Sequence, residues 1–157
     1  MDESNSEILV AAVTTAGVGD GEMLPCMLDK TDVPLNKVGG DGAYDTKDDY
    51  KAVSEIGAQA LFLPQKGAQV WGEAQGPPHE RDRHVLRIRE IGRKRWKLES
   101  GYSRRSLAET AISRIKRIFG DRLQSRVFDN QAVEAFLKLR ALNIMTGLGM
   151  PESYPVN

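Results

Sequence analysis

The chain has 157 residues, enough for one compact domain and too few for two. It is 40% hydrophobic and 28% charged, with a mean hydropathy of −0.43, the make-up of a globular protein rather than a disordered or fibrous one. Lys and Arg (22) balance Asp and Glu (22), and the longest apolar run, Ile8 to Val13, is far below the roughly 20 residues a membrane helix needs.

Met1 to Glu7 is acidic and polar, where a secretory signal is basic and then apolar. The β-branched run of residues 7–15 predicts a strand, broken by Gly17 and Gly19. Asp20 is expected to cap a short helix through Asp29, with Pro25 in its first turn and Met23, Leu24, Met27 and Leu28 on one side. Cys26, the single cysteine, excludes an internal disulfide, suits a reducing cytoplasm and reads as a small buried hydrophobe. Val38 to Asp41 predicts a second short strand running into the bend Gly39-Gly40-Asp41-Gly42. Thr46 is a good N-cap for a helix to about Ile56, stopped by Gly57. Ala60 to Leu63 predicts a third strand, ended by Pro64, and residues 65–78 a Gly- and Pro-rich loop.

Helices dominate the rest. His79 to Leu98 reads as helix with a weak point at Gly92, and a second helix runs from about Arg104 to Phe119. Asp129 is expected to cap a last helix through Leu148, whose broad apolar face includes Val133, Phe136, Leu137, Leu139, Leu142, Ile144 and Met145. The order predicts an α/β layered domain with a parallel crossover and a helical C-terminal half. Three short strands make a thin sheet, as though the first strands of the fold were missing.

The charge is unevenly spread. Residues 1–78 hold 5 Lys, no Arg and 13 acids; residues 79–126 hold 15 Lys+Arg and 6 acids. A block rich in Arg is either a footprint for a polyanion or a solvated helix face pairing with the acidic half. His79 and His84 read as surface residues of this block, and Trp71 and Trp96 as packing residues, with base stacking as the alternative.

Two constellations carry chemistry. On an ideal helix Tyr102, Arg105, Glu109 and Lys116 fall within about 60° of arc, beside an apolar face of Leu107, Ala108, Ala111, Ile112, Ile115, Ile118 and Phe119. A carboxylate flanked by cations suits a metal-dependent phosphodiester site, and equally an ordinary helix-edge ion pair. Asp41, at the end of a strand with glycines about it, stands where open α/β sheets bind ligands; an Asx-type turn is the plainer reading.

Together these residues resemble a known family. Tyr102-x2-Arg105-x3-Glu109-x6-Lys116, within Tyr-Ser-Arg-Arg-Ser-Leu-Ala-Glu-Thr, is similar to the C-terminal signature of bacterial insertion-sequence transposases of the DDE class. Gly40-Asp41-Gly42-Ala43-Tyr44-Asp45-Thr46 resembles the segment around that family's second catalytic aspartate, and Glu7 to Thr15 and Asp20 to Pro25 resemble it too. The resemblance implies an RNase H-like fold over residues 1–150, with a basic insertion at about 65–100 and a tail at 151–157. It implies that Asp41 and Glu109 bind Mg²⁺ as the second and third acids of the triad. It also implies that Tyr102, Arg104, Arg105 and Lys116 contact double-stranded DNA at a transposon end, in a bacterial cytoplasm near the nucleoid. The function implied is strand cleavage and transfer in DNA transposition and recombination. The first Asp of the triad has no counterpart among Asp2, Glu3, Glu7, Asp20, Glu22, Asp29 and Asp32, none of which sits in a strand in the expected motif. The chain is therefore expected to be the C-terminal part of such an enzyme, inactive alone, with an exposed sheet edge that invites self-association. The alternative is a non-catalytic DNA-binding remnant or an inhibitor of the full-length protein.

Overall fold

A computed structural model describes residues 1–15, 17–19, 21–72 and 79–149. It divides into two compact units, Thr14–Arg105 and Met1–Val13 with Ser106–Asn157.

The Thr14–Arg105 unit carries the sheet. A 3-10 turn, Gly21–Met23, leads into helix α1 (Leu24–Asp29), which tolerates Pro25 because the first turn has no backbone acceptor for its amide. Met23 occupies the cap position with no side-chain cap bond; the expected cap, Asp20, lies outside the described residues. Strand β1 (Lys37–Gly40) is joined through helix α2 (Lys47–Glu55) to strand β2 (Gln59–Phe62), and the two strands pair in parallel, with Gly40 opposite Phe62. Thr46 caps α2 as predicted, its Oγ1 accepting the Asp49 amide at 3.2 Å, and Gly57, at φ +72°, ends it. Leu24, Leu28, Tyr50, Val53 and Phe62 form the core between helices and sheet. The Phe62 ring is fully buried, with the Tyr50 ring edge-on at 5.1 Å.

The helix expected over His79–Leu98 is two: α3 (Glu80–Ile91) and α4 (Arg93–Glu99), separated by Gly92 at φ +82°, which no other residue type adopts readily. Helix α3 seals the outer edge of β2. Glu80 Oε2 accepts the Ala60 amide at 2.9 Å, and the His84 ring Nε2 donates to the Ala60 carbonyl at 3.1 Å. Residues four apart on a helix lie on one face, so these two side chains imitate the donor and acceptor row of a neighbouring strand.

In the other unit, α5 (Ser106–Phe119) packs with α6 (Phe128–Gly147). Two expectations are corrected here. Residues 7–15 form no strand, because a strand needs a ladder partner and the described residues offer this segment none. Instead the Asn143 amide pairs with both backbone groups of Ile8, at 2.9 Å each. Asp129 is not the cap of α6. The helix starts one residue before it, Val127 holds the cap position with no side-chain bond, and Asp129 lies in the first turn. Of the predicted apolar face only Leu142 is buried; Val133, Phe136, Leu137, Ile144 and Met145 are 41–62% exposed, since apolar residues circle more of α6 than α5 covers. No described helix is long and apolar enough to cross a membrane. The architecture is mixed α/β and mostly helical, with two parallel strands among the described residues where three were expected.

The loop before α6 hangs on Glu134. Its carboxylate accepts the Gln124 and Ser125 amides at 2.8 and 3.1 Å and pairs with Lys138 at 2.8 Å. Lys138, and then the two amides, hold its pKa below the ordinary value of 4.5. A lowered carboxylate pKa gives stability that is present above the ordinary value and lost as pH falls through the lowered one. The Gln124 and Ser125 amide resonances are therefore expected to titrate together, at a midpoint below 4.5. Two amides that do not move between neutral and acid pH would contradict this anchoring.

Candidate functional site

Strand β1 ends at Gly40 and delivers Asp41 at the C-terminal end of the sheet. Asp41 caps a 3-10 turn, Gly42–Tyr44: its Oδ1 accepts the Ala43 amide at 2.9 Å, and its carbonyl accepts the Tyr44 amide at 3.2 Å. The Asx-type turn of the plainer reading is thus present. It uses one carboxylate oxygen; Oδ2 accepts no hydrogen bond among the described residues. Gly40 is required by close approach, since a Cβ there would stand 2.7 Å from Tyr44 Cδ2 and 2.9 Å from Phe62 Cδ1.

Asp45 closes the same turn and is buried, its side chain 1% exposed. Arg81, from the first turn of α3, meets it with two hydrogen bonds, Nε to Oδ1 at 2.6 Å and Nη2 to Oδ2 at 3.1 Å. Oδ2 also accepts the Gln65 amide at 3.1 Å. Arg81 Nη1 donates to the Gln69 carbonyl at 2.7 Å, and the guanidinium lies 4.2 Å from the centre of the Trp71 ring. Asp82, also buried, accepts the Trp71 and Gly72 amides.

Arg81 and Asp45 were not foreseen as a pair. Arg81 continues the apolar stripe of Val85 and Ile88 at helical spacing, and that was the available signal that this arginine faces inward. The cations of the basic block divide into paired and exposed ones. Arg81 pairs with the acidic half, Arg87 is held by Glu90 and Glu99 at 2.7 and 2.8 Å, while Arg83, Lys94 and Arg95 are exposed. Trp96 is buried, packed on His84 and Tyr102, as the packing reading expected.

The second constellation does not lie on one helix. Tyr102 and Arg105 stand in a 3-10 turn, Tyr102–Arg105, and Glu109 and Lys116 follow on α5. A 3-10 turn advances about 120° per residue instead of 100°, so the arc drawn across residues 102–116 as one helix does not apply. Tyr102 is buried against Trp96 and Leu61, and the Arg105 guanidinium and Lys97 ammonium lie 5.5 and 5.4 Å from its ring centre. Arg104, Glu109 and Lys116 are exposed.

Asp41 offers, at a strand end, a hard carboxylate oxygen that is unbonded among the described residues, the donor type that Mg²⁺ takes. Among the described residues no group of three or more His, Cys, Asp or Glu gathers into a complete metal site. The family profile described as "Transposase DDE domain" matches residues 1–144. No solved structure matches the chain.

Proposed function

The chain belongs to the transposase DDE domain family, and on that premise we propose that it binds transposon-end DNA through an incomplete catalytic domain of RNase H-like type. The transposition function follows from the family. What supports the finer reading is Asp41, one oxygen uncommitted, at the C-terminal end of a parallel strand where α/β sheets bind ligands. Asp41 and Glu109 are read as two acids of the triad and as the residues that would hold Mg²⁺. When bound, such an ion stabilises charge at the scissile phosphate and activates the attacking oxygen. Arg105, Lys116 and the neighbouring Arg104 would hold the DNA backbone, and Tyr102 would fix Arg105 through the face of its ring. Residues at about 65–100, which include the exposed cations of α3 and α4, are read as a basic insertion lying on the duplex.

The first acid of the triad is the missing element of this reading. Asp2, Glu3, Glu7, Glu22, Asp29 and Asp32 sit in turns, coil or helix, and Asp20 lies outside the described residues. That favours a second reading, a DNA-binding chain without chemistry of its own.

One experiment tests both. The purified chain and its Glu109→Ala variant are titrated with end duplex at several salt concentrations, with and without Mg²⁺. Binding is expected to be steeply salt-dependent and equal for the two proteins, with no nicking by either. Lys116→Ala should lower the slope of log affinity on log salt by about 0.9, one phosphate contact. Nicking by the unmodified chain that Glu109→Ala abolishes would sink the incomplete-site reading, and absence of duplex binding would sink both.

A further inference from the structure

Among the described residues Arg81 is the one buried cation of the basic block. Arg81 is buried with Asp45, their side chains 6% and 1% exposed. Both N–H groups on one edge of its guanidinium are bonded to the Asp45 carboxylate, and Nη1 is bonded to Gln69. Asp41 and Asp45 are the two ends of one five-residue turn. The chain leaves β1 at Asp41, bonds back through Ala43 and Tyr44, and is pinned at Asp45.

We propose that Arg81 is a positioning residue for Asp41, acting through Asp45 to fix the turn that presents the Asp41 carboxylate. The proposal rests on the reading of Asp41 as a metal-holding acid. Without Arg81 the buried Asp45 carboxylate would lack its compensating charge and would move toward water, carrying the end of the turn with it. Lysine is a poor substitute, because a single ammonium cannot meet two carboxylate oxygens in the plane of a guanidinium while also reaching Gln69 and lying on Trp71. The arrangement makes the basic segment a structural partner of the Asp41 turn, and the Gln65 amide on Asp45 Oδ2 adds the loop after β2 to the same clamp. Partners one bond removed from a ligand commonly govern how well it holds a metal.

The test uses the whole chain and Arg81→Lys, with Val53→Ala as a control that weakens the core and leaves the Arg81–Asp45 pair in place. Hydrogen exchange of the Ala43 amide is expected to be about tenfold faster in Arg81→Lys than in Val53→Ala at matched global stability. Mn²⁺, followed by broadening of the Gly42 to Tyr44 amide resonances, is expected to need about tenfold higher concentration in Arg81→Lys. Exchange at Ala43 no faster than in the control would overturn the proposal and leave Arg81 a residue of general stability. If Mn²⁺ fails to broaden these resonances in the unmodified chain, the metal reading of Asp41 falls, and Ala43 exchange still decides whether Arg81 holds the turn. Should Arg81→Lys not fold, the unmodified chain answers: under rising urea the Ala43 amide and the Arg81 Nε–H are expected to open in one step. An Ala43 amide that opens freely while Arg81 Nε–H stays protected would overturn the proposal.

Discussion

Phe62→Ala is expected to lower stability by about 3–5 kcal/mol, measured as the shift in urea midpoint at constant slope. Phe62 is fully buried at the end of β2, with Tyr50 edge-on at 5.1 Å and Tyr44 at 5.8 Å. Truncation removes the buried ring with its contacts and leaves a hole that Tyr50 cannot fill, since Tyr50 is itself fixed edge-on to Trp71 and His79. The core of this unit is small, so the loss is a large share of a domain's usual margin. A cost below about 1 kcal/mol would mean that the ring packs loosely and the sheet is held by something else.

Gly40→Ala tests the same packing from the backbone side. The new methyl would stand 2.7 and 3.0 Å from Tyr44 ring atoms and 2.9 Å from Phe62, so a ring or the strand must shift. Overpacking of this kind costs about 1–3 kcal/mol, and here the strain falls on the residue that precedes Asp41. Gly39→Ala is the matched control: the side chain would point to the opposite face, with only the Leu61 carbonyl near, at 4.0 Å. It should stay within about 0.5 kcal/mol of the unmodified chain. Equal effects at the two positions would show that the contacts behind Gly40 are not what excludes a side chain there.

The parts of the fold set by neighbouring residues were legible in the sequence. Thr46 caps its helix, Gly57 and Gly92 end theirs, and both short strands lie within a residue of where β-branched and apolar runs put them. Part of what failed depended on partners far along the chain. Residues 7–15 have the composition of a strand, but composition supplies no ladder, and an asparagine of α6 takes the Ile8 backbone instead. The arc of Tyr102, Arg105, Glu109 and Lys116 failed for a local reason: it assumed one uniform helix, and Tyr102 and Arg105 lie in a 3-10 turn that precedes α5. Asp41 was legible as a strand-end acid. Arg81 was not legible as its neighbour's counter-ion, because one guanidinium among twelve in residues 79–126 carries no mark of inward orientation except its register with Val85 and Ile88.

The pair Glu80 and His84 has a consequence for how the sheet behaves in a crowded solution. A short parallel ribbon with a bare border is a template on which identical chains can stack without limit. On the β2 side that template is cancelled at Ala60, where both backbone groups are already bonded to side chains of α3. An arriving strand would have to break two hydrogen bonds and strip a carboxylate before it gained its first rung, so β2 is a poor seed for fibril growth.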